Sequence, residues 1–155
     1  MEYYLQVKNG KIISNSNFPV KEKDVYNLEI NQTTYIAYQN TPERFYVEDD
    51  KVIMMDDTQW EEYLKQKEKE RISHLKCTKR VLVIILEQLG KDYFKDIQPL
   101  INNNRQAKLE WELCVELERS NPLLDIIGAQ LNISPEQIDE IFKYANRETQ
   151  SLEVV

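Results

Sequence analysis

Hydrophobic positions repeat with two different periods along this chain, and the change falls near residue 58. Tyr3, Leu5 and Val7 alternate with Tyr4, Gln6 and Lys8, the period of a half-buried strand. Asn9-Gly10 follows. Both residues tolerate positive φ, so they close a two-residue hairpin and make Lys11 to Ser14 the return strand. Tyr26, Leu28 and Ile30 alternate with Val25, Asn27 and Glu29. Asn31-Gln32 separates that run from residues 33–38, which read as a further strand. Phe45 to Glu48 and Lys51 to Met55 flank Asp49-Asp50, a second two-residue turn. The pattern predicts a meander of about five or six short antiparallel strands over residues 1–57. Its aromatic and β-branched content suits a pleated, half-buried surface.

At residue 58 the period becomes helical. Thr58-Gln59-Trp60-Glu61 has the form of a capping box, with Thr58 as N-cap. Trp60, Tyr63, Leu64, Ile72 and Leu75 mark a stripe that is interrupted from Lys65 to Arg71, where every residue is charged or Gln. A turn without an apolar face is solvated on all sides, so residues 58–76 read as a charged linker helix. Residues 77–148 read as an all-α domain. Val81 to Leu89 is apolar nearly all round and stops at Gly90. Asp92 to Ile101 reads as a short helix, and Asn104 to Arg119 as a broadly apolar one, central in its domain. Asn121-Pro122 is an N-cap followed by Pro at N1. Ser134-Pro135-Glu136-Gln137 is a second capping box, opening a helix with Ile138, Ile141, Phe142 and Ala145. The tail, 149–155, is expected to fray. The fold class is therefore α+β.

Charge follows the same divisions. Residues 1–57 carry 6 basic and 10 acidic side chains, residues 58–80 carry 7 and 4, and residues 81–155 carry 7 and 13. The sum over 155 residues is −7. Such a surface repels phosphate backbones, which argues against direct nucleic-acid binding. The longest apolar run, Val81 to Leu86, is six residues, too short for a membrane span. The opening residues lack the form of a signal peptide, and two cysteines are too few for a disulfide framework. A cytoplasmic protein with reduced thiols is the expectation.

The residues offer little chemistry. His74, the one histidine, precedes Cys77 by three positions, but a structural zinc site needs a second ligand pair, which Cys114 alone cannot supply. Nucleophilic catalysis needs a nucleophile beside an oriented base. Neither GxSxG, GxxxxGK[ST] nor GxGxxG occurs, and Gly10, Gly90 and Gly128 are too scattered to cradle a phosphate. Glu48, Asp49, Asp50, Asp56 and Asp57 read as solvated turns, and Lys76 to Arg80 as a charged surface. No catalytic residue, metal or cofactor is expected. Leu123 to Phe142 has the outline of a helix-turn-helix. However, Glu136, Asp139 and Glu140 on its second helix would meet phosphate repulsion, so two packed helices of a bundle are the better reading.

Residues 1–57 hold more large rings than so short a stretch readily buries, and aromatic side chains are the enriched anchors of interfaces. Tyr38, Phe45 and Tyr46 are the expected contacts, with Asp49 and Asp50 adding charge on the adjacent turn. Trp60 and Tyr63, at the start of the linker helix, suit either core or partner.

The layout, with Asp57-Thr58-Gln59-Trp60, Thr78-Lys79-Arg80, Leu86 to Gly90, Glu110-Trp111-Glu112, and Asn121 to Asp125 through Ile138 to Phe142, resembles small accessory proteins encoded beside tail-fibre genes in phages and prophages. The resemblance implies a non-enzymatic protein that works by binding other proteins, in the host cytoplasm or the virion. The first implied role is tail or tail-fibre assembly, or a minor tail component, with a virion protein as partner. The second is an anti-CRISPR-type inhibitor, whose acidic surface complements the basic channel of an RNA-guided nuclease, a host defence protein. Carbohydrate binding by the aromatic sheet is the third.

Overall fold

The computed structural model describes residues 2–149. The chain is α+β, 54% helical and 21% strand, and divides into two compact units, Met1–Lys65 and Gln66–Val155. The expected tail, 149–155, lies outside the described residues apart from Thr149.

In the first unit β1 (Tyr3–Lys8), β2 (Lys11–Ser16) and β3 (Tyr26–Ile30) form an antiparallel sheet of order β2-β1-β3. β1 is therefore central, and the strands do not follow one another across the sheet as in a simple meander. Asn9 and Gly10 take φ of 52° and 73°, the left-handed pair that a tight hairpin requires. Leu5 and Val7 of β1 are fully buried on one side. Gln6 is buried on the other. Its amide nitrogen donates to Ser16 Oγ at 2.9 Å and Asn27 Oδ1 at 3.1 Å, and its oxygen accepts from Ser14 Oγ at 3.0 Å. β4 (Phe45–Glu48) and β5 (Lys51–Met54) form a separate hairpin. Its turn residues Asp49 and Asp50 both have positive φ, 49° and 57°.

The expected strand at 33–38 is a helix, α1 (Gln32–Asn40). Asn31 is its N-cap, accepting from the Thr34 amide at 2.8 Å, rather than half of a turn. Tyr35 and Tyr38, one helical turn apart, reach Tyr3 and Phe45 with ring centroids 4.5 and 5.7 Å away. Packing of these rings outweighs the β-propensity of Thr-Thr-Tyr-Ile.

α2 (Asp57–Ser73) begins earlier than expected. Its capping box is Asp56 with Gln59: Asp56 Oδ1 accepts from the Gln59 amide at 2.8 Å, and Gln59 Oε1 accepts from the Asp56 amide at 3.0 Å. Residues 64–71 are all exposed, the consequence of a turn with nothing apolar to bury.

The second unit packs α3 (Lys79–Gln88), a π-helical turn at Tyr93–Ile97, α4 (Gln98–Asn103), α5 (Arg105–Leu113), α6 (Pro122–Leu131) and α7 (Pro135–Ala145) around one core. It also holds a short antiparallel pair, β6 (Lys76–Thr78) with β7 (Glu116–Glu118). The helix expected from Asn104 to Arg119 consequently stops at Leu113. Cys114 turns extended, with ψ of 145°. Leu117 then pairs with Cys77, and both face the core. Three-residue strands are too short to leave a readable period in sequence.

α6 and α7 carry the start signals read above. Asn121 caps α6, and Ser134 with Gln137 forms the box on α7. Asn132, between them, is left-handed, with φ of 56°. Gly128 lets the helices close: a Cβ there would stand 2.5 Å from Ile138 Cδ1 and 3.0 Å from the Ile133 carbonyl oxygen. Gly128→Val should therefore destabilise the protein by about 2–3 kcal/mol, read as a lower urea midpoint at unchanged slope. An unchanged midpoint would show that the crossing is slack.

Candidate functional site

Five pieces of the first unit converge on one groove of about 340 Å³. The β1–β2 hairpin supplies Gly10 from its turn and Lys11 and Ile12 from β2, and α1 supplies Tyr38. A 3-10 turn, Pro42–Arg44, supplies Pro42 and Glu43. Phe45 and Tyr46 come from β4, and Tyr63 from α2. Pro42 sets the turn by opening it at its first position. Arg44 then anchors it. Its Nε donates to the Met55 carbonyl at 2.8 Å, and its guanidinium pairs with Asp57.

The seven contact residues expected from the sequence fall into four situations in the structure. Tyr38 and Phe45 are each only 8% exposed and pack with Leu5 as the core of the unit. Their rings meet edge-to-face, 5.7 Å apart at 66°, and burial pushes the Tyr38 hydroxyl above its ordinary pKa. They form the floor of the groove, which corrects their expected role as surface anchors. A ring in a small domain is most stable in the core, and α1 delivers Tyr38 there.

Tyr46 and Tyr63 are half-buried and line the groove walls. The Tyr63 hydroxyl lies 3.5 Å from a Glu43 carboxylate oxygen. Trp60 stacks on Tyr63, centroids 5.3 Å apart at 17°, and so backs the wall without lining it. Asp49 and Asp50 lie at the hairpin tip, roughly 13 Å along the strand from Phe45, and the structure does not bring them to the rings. Asp50 sits instead by Tyr26, whose hydroxyl is raised by desolvation first and by that carboxylate second.

Sequence reasoning missed Gly10, Lys11, Ile12, Pro42 and Glu43. Thr41-Pro42 was the one available signal, since Pro favours the first position of a helical turn.

Of the charged side chains, Glu43 and Lys11 line the groove itself. The stretch from 42 to 63 that carries both walls is acidic in sequence, with Glu43, Glu48, Asp49, Asp50, Asp56, Asp57, Glu61 and Glu62 against Arg44 and Lys51. Half-buried phenol rings beside a carboxylate such as Glu43 can receive a cation over a ring face and hydrogen-bond through the hydroxyl.

Other chemistry-bearing residues stand apart. His74 Nδ1 is 2.8 Å from Glu118 Oε1, while Cys77 is buried in β6 with its thiol pushed up to about 11 by burial first. Among the described residues, no three His, Cys, Asp or Glu side chains are grouped to hold a metal ion. None of the described helices is long and apolar enough to cross a membrane. Comparison with family models, curated proteins and solved structures found no match.

Two outcomes follow from this geometry. Tyr38→Ala or Phe45→Ala should cost about 3 kcal/mol, whereas Tyr46→Ser and Tyr63→Ser should each cost about 1 kcal/mol or less, all read by urea unfolding. Equal losses at floor and wall would contradict the assignment. Separately, iodoacetamide at about pH 8 should label the half-buried Cys114 in the folded protein and reach Cys77 only after unfolding, as mass spectrometry would show. Early labelling of Cys77 would show that the β6–β7 pair opens readily.

Proposed function

We propose that this chain works by binding a protein partner, and that its groove receives a basic segment of that partner. The observation that carries the reading is the pair of half-buried rings, Tyr46 and Tyr63, lining an open groove in a stretch with eight acidic and two basic residues. A Lys or Arg over a tyrosine face contributes about 0.5–1 kcal/mol at an exposed site. Glu43, whose carboxylate lies 3.5 Å from the Tyr63 hydroxyl, offers such a segment an ion-pair partner at the groove, and the acidic stretch 42–62 disfavours acidic competitors.

The resemblance to accessory proteins of the tail-fibre neighbourhood supplies the setting. The partner is then a virion component, and the role is tail or tail-fibre assembly. The acidity of residues 42–62 also favours a second reading, an inhibitor that covers a basic surface of an RNA-guided nuclease. Both readings use the same groove and differ in the partner's identity.

The test is capture from infected or lysogenic cells by the full chain, compared with a Tyr46→Ser/Tyr63→Ser variant shown by circular dichroism to be folded. A protein should be retained by the parent and reduced about tenfold or more by the variant. Its identity, virion protein or nuclease, decides between the two readings. Equal capture by both chains, or binding of a glycan with no protein retained, would overturn the proposal.

A further inference from the structure

The lining of the tyrosine-walled groove favours one kind of backbone as well as one kind of charge. Its rings are braced. Trp60 stacks on Tyr63, centroids 5.3 Å apart at 17°. Tyr46 stands on β4, opposite Ile53 of β5. Tyr38 lies beneath them in the core, and Pro42 adds a rigid ring to the lining. A surface fixed in this way gains most from a partner that is itself fixed before binding, because neither side then loses much freedom.

The polar side chains of the lining are weighted towards donors. Tyr46 and Tyr63 carry hydroxyls and Lys11 carries an ammonium group, while Glu43 is the one carboxylate among the described lining residues. An ordinary extended peptide brings an N–H for every C=O. A proline-rich segment brings carbonyls without the matching N–H groups. In the polyproline II conformation none of those carbonyls is spent on a bond within the segment. Aromatic-lined grooves take up such segments because the rings lie face to face and the ligand is already ordered.

Charge adds a basic residue at one place. Glu43 and Lys11 have opposite signs, so the lining by itself is balanced. The neighbouring cations are engaged elsewhere. Arg44 bonds the Met55 carbonyl at 2.8 Å and pairs with Asp57, and Lys8 pairs with Glu22 at 3.5 Å. Lys51 stands opposite Glu48, at the other end of β4 from Phe45. Beside Tyr63 the balance is negative: Glu61 and Glu62 precede it on α2, and the Glu43 carboxylate is 3.5 Å from its hydroxyl. Lys11 comes from β2 instead.

We propose that the groove receives a proline-rich segment in the polyproline II conformation, carrying a Lys or Arg that pairs with Glu43. Its proline rings lie on Tyr46 and Tyr63, and Lys11 and the tyrosine hydroxyls donate to its carbonyls. The proposal rests on the reading of this groove as the site for a basic segment, and adds that segment's composition and conformation.

The test uses the full chain and three fluorescein-labelled synthetic peptides of about ten residues, roughly 30 Å in polyproline II. The first alternates Pro and Ala and carries Arg near one end. The second replaces each Pro by Ala and keeps the Arg. The third keeps the Pro and replaces Arg by Gln. Binding is followed by fluorescence anisotropy. The first peptide should bind, and Tyr46→Ser/Tyr63→Ser should weaken it about tenfold or more. The second should bind about tenfold more weakly than the first, because its backbone must be ordered on binding. The third should bind about threefold more weakly at low salt, and Glu43→Gln should abolish that difference. Equal binding of the first two peptides, both lost with the tyrosine variant, would overturn this proposal and leave the reading of a basic segment standing. Failure of both Arg peptides to bind would overturn the two together. Binding that survives the tyrosine variant, or an Arg-to-Gln difference that survives Glu43→Gln, would also overturn the proposal.

Discussion

Two buried polar side chains, Gln6 and Arg119, fix the arrangement of the strands and helices around them. A polar group taken from water without partners costs about 1–3 kcal/mol, and more if charged, so a buried one dictates where its neighbours stand. Gln6 does this for the first sheet. Its bonds to Ser14 and Ser16 on β2 and to Asn27 on β3 hold both neighbours of the central strand in register. Asn27 in turn bonds both backbone groups of Val20 at 2.9 Å, tying down the connection between β2 and β3. Arg119 does the same for the second unit. It pairs with Asp125 of α6 at 3.0 Å and with Asp139 of α7, and donates to the Pro135 carbonyl at 3.1 Å. Removing one partner of a fully buried pair costs about 3–5 kcal/mol, and of an exposed pair about 1 or less. Asp139 is 27% exposed and Asp125 53%, so Asp139 does most of the anchoring.

The groove and the exposed end of α5 both follow from these constraints. With Gln6 holding one side of β1, Leu5 must face the other, where it meets Tyr38 and Phe45. Two rings suffice to fill so small a core, and Tyr46 and Tyr63 remain at its edge as groove walls. In the second unit, Arg119 follows β7 directly and is held by backbone as well, its amide donating to the Leu75 carbonyl at 2.9 Å. A strand at Glu116–Glu118 leaves no room for α5 to continue. The early end of α5 is what leaves Leu113 and Val115 in solvent.

The parts legible in the sequence are those with local causes. Asn9-Gly10 and Asp49-Asp50 were readable because positive φ is a property of the residues themselves. The caps at Asn121 and Ser134 were readable because their bonds are local: Asn121 accepts from the Leu123 amide, and Ser134 and Gln137 each accept from the other's amide. The helix at 32–40, the break at Cys114 and the burial of Tyr38 were not. Each is decided by a partner far along the chain: Tyr3 for Tyr35, Cys77 for Leu117, Leu5 and Phe45 for Tyr38. The error at the start of α2 was of another kind. Asp56 with Gln59 and Thr58 with Glu61 are both plausible boxes, and Arg44, by pairing with Asp57 and bonding Met55, fixes the chain where the earlier one forms. Of the seven proposed contact residues, those that line or back the groove were found from ring content alone. That content does not distinguish floor from wall.

In the proposed binding, acidity and apolar contact would divide the work between them. Exposed carboxylates act over roughly a Debye length, about 8 Å at physiological salt, so they govern how quickly a basic partner arrives and which partners are turned away. They add little once contact is made, because exposed pairs stay hydrated. Lifetime must come from surface removed from water, at about 25 cal/mol per Å². The half-buried rings at Tyr46 and Tyr63 are among the apolar groups that can supply it.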